Sequence, residues 1–107
     1  MEPAIITFDG DLDLPRYPEV HTILEAAKLT KGRSMVIDLS GVGEVDPMVA
    51  GEIVLFVHRT LRYGATVAIV PPAAQPNEWL THAASIKDAH FRDTRDEALA
   101  LTGSART

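Results

Sequence analysis

Cysteine is absent from all 107 residues, which excludes disulfides, zinc–thiolate sites and thiol catalysis. Clustered positive charge is missing too. The 10 Lys and Arg are outnumbered by 15 Asp and Glu, for a formal net charge of −5. A phosphate-backbone binder needs a basic stripe to displace counterions, and adhesion to anionic lipid needs a basic patch. The composition therefore argues against both kinds of partner. No window approaches the roughly 18 uncharged apolar residues of a membrane span, so direct membrane insertion is not expected. The opening Met1-Glu2-Pro3-Ala4 carries neither the basic region nor the apolar stretch of a secretory signal, which makes the cytoplasm the expected location. Linkers and low-complexity segments are also lacking. The length suits one core and not two.

What is present is an ordinary globular composition, 46% apolar and 23% charged. Strand and helix alternate along it. Residues 4–8 form a short β-branched apolar run closed by a polar turn at Asp9, Gly10 and Asp11. After Pro15, Val20, Ile23, Leu24 and Ala27 fall on one face of a helix that Thr30-Lys31-Gly32 ends. Residues 35–39 are a second strand with one Asp inside, followed by a turn at Gly41-Val42-Gly43. A long helix is expected over 47–63, with Gly64 at its end, then a third strand over 66–70 stopped by Pro71 and Pro72. A short helix carrying Trp79 over 76–84 and a weak fourth strand within 86–91 follow. Thr94 and Glu97 fit a capping box for a last helix running to about residue 101. Strands apolar on both faces, alternating with helices, predict an α/β fold with a mostly parallel central sheet of about four strands. Residues 1–101 make one domain in this reading, and 102–107 a polar tail.

The turn before the long helix is the place where chemistry could gather. Asp46 followed by Pro47 is a helix start, with Asp as N-cap and Pro at the first helical position. Such a start can hold an anion, yet Asp46 and Glu44 would repel one. The plainer reading is that Asp46 only caps. On the helix, Glu52, Leu55, Arg59 and Arg62 share one face, opposite a core face of Ala50, Ile53, Val54, Val57 and Leu61. Leu55 is out of place among charges. With an exposed Met48 at the helix start it could form a docking patch, although single exposed apolar residues are common.

Catalytic motifs are weak by comparison. Gly41 and Gly43 lack the third glycine or the lysine of a nucleotide loop, and no serine sits in a nucleophile elbow. His21, His58, His82 and His90 form no metal-binding pair. Asp9, Asp11 and Asp13 alternate as in a calcium loop but lack its glycine and terminal glutamate, so turn formation explains them better. No enzyme activity, cofactor or metal is expected.

Five stretches, in order and at fitting separations, resemble the STAS family, the domain of bacterial anti-sigma factor antagonists. They are Phe8 to Asp13, Val36 to Val42, Asp46 to Gly51, Leu61 to Val67 and Asp93 to Leu99. The resemblance implies a single STAS-like domain whose strand-to-helix loop and following helix bind an anti-sigma factor, often a serine kinase. Carried onto this chain, that surface comprises Asp46, Pro47, Met48, Val49, Glu52, Leu55 and Arg59. In the family, phosphorylation of a loop Ser or Thr releases the partner by adding about −1.5 to −2 charges to a surface that must be buried. Here the acceptor slot falls on Met48, and no Ser, Thr or Tyr lies between Gly41 and Arg59. The expectation is a non-catalytic protein-binding regulator that phosphorylation at that position cannot switch. An accessory subunit of an ABC transport or lipid-trafficking ATPase and a small-molecule sensor are the alternatives, and homodimerisation stays open.

Overall fold

In the computed structural model the described residues are 4–27, 34–73 and 89–103. Strand β1 (Ala4–Leu12) leads through a 3-10 turn (Leu14–Arg16) into α1 (Tyr17–Ala26). Then come β2 (Ser34–Val45), α2 (Pro47–Arg62), β3 (Thr66–Val70), β4 (His90–Phe91) and α3 (Arg95–Gly103). The four strands form one sheet in the order β1-β2-β3-β4, every neighbouring pair parallel. The expected α/β architecture is therefore present, fourth strand included. The expected tail begins too early, since residues 102 and 103 complete α3 and Thr102 is buried with its hydroxyl donating to the Ala98 carbonyl at 3.0 Å. The helix anticipated over 76–84 with Trp79, the end of the first helix at 30–32 and residues 104–107 lie outside the described residues.

Alternation across the strands divides the core. Ile6 and Phe8 of β1, Met35, Ile37 and Leu39 of β2, and Val67 and Ile69 of β3 face α1 and α2. There they meet Val20 and Leu24 of α1 and the buried side of α2, from Val49 to Val57. Val36, Ala68 and Val70 point the other way and pack on Ala98, Leu99 and Leu101 of α3. Residues 35–39 are buried without a break, because β2 is flanked by strands on both sides and covered on both faces.

Asp38 is the one charge in that run, and it is satisfied. Its Oδ1 accepts from the backbone N–H and hydroxyl of Ser40 at 3.0 and 2.7 Å, and its Oδ2 pairs with Arg95 Nε at 3.2 Å. Arg95 also donates to the Thr7 hydroxyl, so the start of α3 is fastened to two strands. The capping box forms with a small difference. The Thr94 hydroxyl accepts from Glu97 N–H at 3.2 Å, while the Glu97 carboxylate meets the Thr94 hydroxyl rather than its N–H. At the end of α2, Gly64 takes φ +83°, and the N–H groups of Gly64 and Ala65 return to Leu61 and Thr60 carbonyls in a Schellman arrangement.

Two expected turns are strand instead. Asp9-Gly10-Asp11 continues β1, and Gly41-Val42-Gly43 continues β2, pairing Asp9 with Gly41, Gly10 with Val42 and Leu12 with Val45. Register shifts between Thr7 and Asp9 and between Gly10 and Leu12 carry an extra residue in β2 each time. Those bulges break the period of two and give the stretch a turn-like sequence. Asp9 and Asp11 are accordingly strand residues, Asp9 paired in the ladder and Asp11 at a bulge, and not members of a loop.

The core assignment is checked by Ile37→Ala on the fully buried central strand. A loss of about 2–5 kcal/mol in urea denaturation is expected; a loss below about 1 kcal/mol would place β2 away from the core.

Candidate functional site

Past Val70 the strand β3 leaves β2, and β1 and β2 run on together as a two-stranded ribbon. Gly41 and Gly43 face the Asp9 and Asp11 carboxylates, in space that a Cβ would occupy. Their absent side chains let the ribbon close, and Asp11 Oδ1 then accepts from Glu44 N–H at 2.9 Å. Arg16 fastens the other side by donating to the Asp9 and Asp11 carbonyls at 2.7 and 3.0 Å while pairing with Glu19.

The ribbon ends on Asp46, which is tied in three ways. Its N–H donates to the Leu12 carbonyl at 2.8 Å, its carboxylate accepts from Met48 N–H at 2.9 Å, and its carbonyl accepts from Ala50 N–H at 2.9 Å. With φ −66° and ψ 141° it has the extended backbone of an N-cap, and Pro47 occupies the first helical position. The capping reading of Asp46 is thus correct, whatever else the turn does. Beside it, Asp11, Asp13, Glu44, Val45, Asp46 and Pro47 line an open recess of about 270 Å³. Four of those six are carboxylates, so the recess repels the anion that a bare helix start would attract.

The expected surface residues separate when placed. Met48 is 61% exposed and Leu55 45%, two turns apart on one line of α2. Arg59 and Arg62 are exposed along the same line, and Pro47 is exposed about 100° to one side of it. Val49 is not part of this surface: it is fully buried, because a step of one residue from Met48 turns it towards the sheet. Phe56 and Thr60 join it on the buried side, which is wider than Ala50, Ile53, Val54, Val57 and Leu61 alone.

Glu52 departs from the expectation in another way. Its side chain is 13% exposed, because α1 covers it. Tyr17 donates its hydroxyl to Oε1 at 2.9 Å, and His21 Nδ1 lies 2.8 Å from Oε2, with the two rings stacked 6.4 Å apart. Burial pushes the Glu52 carboxyl up, but the hydrogen bonds from His21 and Tyr17, with the charges of His21 and Arg59, outweigh it and hold the group below the usual carboxylate range. In the sequence Tyr17 stands out for nothing, and His21 enters only as a candidate metal ligand. The available signal was their spacing of four, which puts both rings on one helical face.

Among the described residues no three His, Cys, Asp or Glu side chains are arranged to hold a metal ion, and no helix is long and apolar enough to cross a membrane.

The profile of the STAS domain matches residues 2–98. The fold is similar to that of a candidate anti-sigma factor antagonist from Thermotoga maritima, known from its crystal structure, with a TM-score of 0.73. The superposition covers 92% of this chain and 86% of that one at 21% identity, a likeness that speaks to the fold alone. No curated protein matches the sequence.

Replacing Asp46 with Ala removes the cap, and stability should fall by about 0.5–2 kcal/mol in denaturant unfolding. No change would mean that the cap is made by another group. Glu52 has a pH signature. A carboxyl held below its ordinary range adds stability above that range and loses it as pH falls through the folded-state value. Glu52→Gln should therefore flatten the decline of the urea midpoint in acid relative to the unaltered chain. Parallel declines would show that the Tyr17 and His21 contacts contribute nothing.

Proposed function

This chain belongs to the STAS family, and on that premise we propose that it is a non-catalytic, protein-binding regulator of the anti-sigma factor antagonist type, acting in the cytoplasm. The docking face is the turn at Asp46 and Pro47 with the exposed stripe of α2 through Met48, Leu55 and Arg59, Glu52 lying at its edge and Val49 supporting it from beneath. The observation that carries this reading is the exposure of Met48 and Leu55 on one line of an otherwise amphipathic helix. Apolar side chains aligned beside a fixed turn offer a partner area that water leaves readily, about 1.5–3 kcal/mol for each one fully buried. Membership of the STAS family, whose fold this chain shares with a candidate anti-sigma factor antagonist, supports the kind of partner.

Release by phosphorylation of this loop has no acceptor. Met48 has no hydroxyl, and the stretch from Gly41 to Arg59 contains no Ser, Thr or Tyr. Binding on this face is therefore constitutive or answers to another input.

Met48→Asp with Leu55→Glu puts two charges where apolar contact is needed, at positions open enough to accept them. The double variant should keep its circular dichroism spectrum and melting point, yet lose at least about 100-fold in affinity for the anti-sigma factor captured by the unaltered chain. Undiminished affinity would remove α2 from the interface. Capture of a transport ATPase subunit in place of an anti-sigma factor would move the chain to an accessory role.

A further inference from the structure

The docking face carries opposite charge at its two ends. At the start of α2, Asp11, Asp13, Glu44 and Asp46 surround the open recess. At its far end Arg59 and Arg62 are exposed on the same line as Met48 and Leu55. The 16 residues of α2 span about 24 Å, so a carboxylate group and a guanidinium pair sit at either end of one apolar stripe. Such a pattern complements its own copy turned end for end. In an isologous pair each residue i meets j while j meets i, which sets the acidic end of one helix against the basic end of the other.

We propose that a second copy of this chain occupies the face, α2 against α2 in antiparallel, and that this self-association withholds the face from the protein partner. The proposal rests on the reading of α2 as the docking surface, and supplies an off-state that needs no phosphate. Met48 of one copy lies against Leu55 of the other. Gly51, half-buried and one turn from Met48, stands near the two-fold axis, where a missing side chain allows the helices to approach closely. Glu52 is near the axis as well, but Tyr17 and His21 draw its carboxylate towards α1, which keeps two free carboxylates from facing each other. The net charge of −5 opposes the approach of two copies, so the pairing of opposite ends decides whether they associate. A single-helix contact is small, and its dimer belongs to the weak, exchanging class that a partner can displace.

Sedimentation equilibrium on the whole chain tests this without any partner. The unaltered chain should show a concentration-dependent rise from the monomer mass to twice that mass. Asp13→Lys with Glu44→Lys cancels the charge of the acidic end, where Asp11 and Asp46 remain, and Arg59→Glu with Arg62→Glu makes both ends acidic. Each double variant alone should remain monomeric, and an equimolar mixture of the two should regain the dimer. Circular dichroism establishes that both are folded; if either is not, Leu55→Glu takes its place and should likewise be monomeric. A chain that stays monomeric to about 1 mM overturns the proposal, as does a dimer that survives the charge reversals unchanged. Either result leaves the partner reading standing, since that is decided separately by capture with the Met48 and Leu55 variant.

Discussion

Asp46 is where the β-structure ends and the long helix begins, and it serves both at once. Its N–H completes the last rung of the β1–β2 ribbon on Leu12, and its carboxylate and carbonyl begin α2 on Met48 and Ala50. No flexible residue intervenes between strand and helix. The direction of α2 is thus inherited from the ribbon, and the ribbon is held in turn by Gly41 and Gly43 against two aspartates and by Arg16 on its open side. A helix aimed this rigidly presents its outer stripe in one fixed orientation, which is what a docking surface requires to avoid ordering costs on binding.

The buried side of α2 and its outer side then have separate duties. Val49, Ala50, Ile53, Phe56 and Val57 are fully or nearly fully buried, so the helix is anchored by several kcal/mol of apolar burial irrespective of the outer stripe. The outer stripe is consequently free to vary in sequence with little effect on stability. Glu52 joins the two halves by linking α2 to Tyr17 and His21 of α1. That linkage matters less for energy than for position, as it keeps α1 beside the stripe and turns a carboxylate away from the middle of it.

Much of this was legible in the residues. Asp46, Pro47, the amphipathic run to Arg62 and the glycine at position 64 specify α2 almost completely, because caps and helical periodicity are local properties. The uninterrupted apolar residues 35–39 likewise announce a strand covered on both faces. Asp9 to Asp11 and Gly41 to Gly43 misled for a definite reason: polar residues and glycines usually mark turns, whereas here two bulges and the mutual fit of glycine with aspartate make them strand. Glu52 could not be placed from its own helix. Its environment is set by α1, and the packing of one helix beside another is a tertiary fact. Val49 was assigned to the surface by the family's loop pattern, while the helical angle from Met48, available in the sequence, puts it inside.

The central claim is that the turn at Asp46 and the outer stripe of α2 form the surface on which another protein docks. Amide hydrogen exchange, compared for the chain free and in complex with the anti-sigma factor it captures, tests it most directly. The account predicts slowed exchange concentrated at the capping turn and along α2, with α3 and β4 unaffected. Slowing confined to α3 and β4, with α2 unchanged, would contradict it.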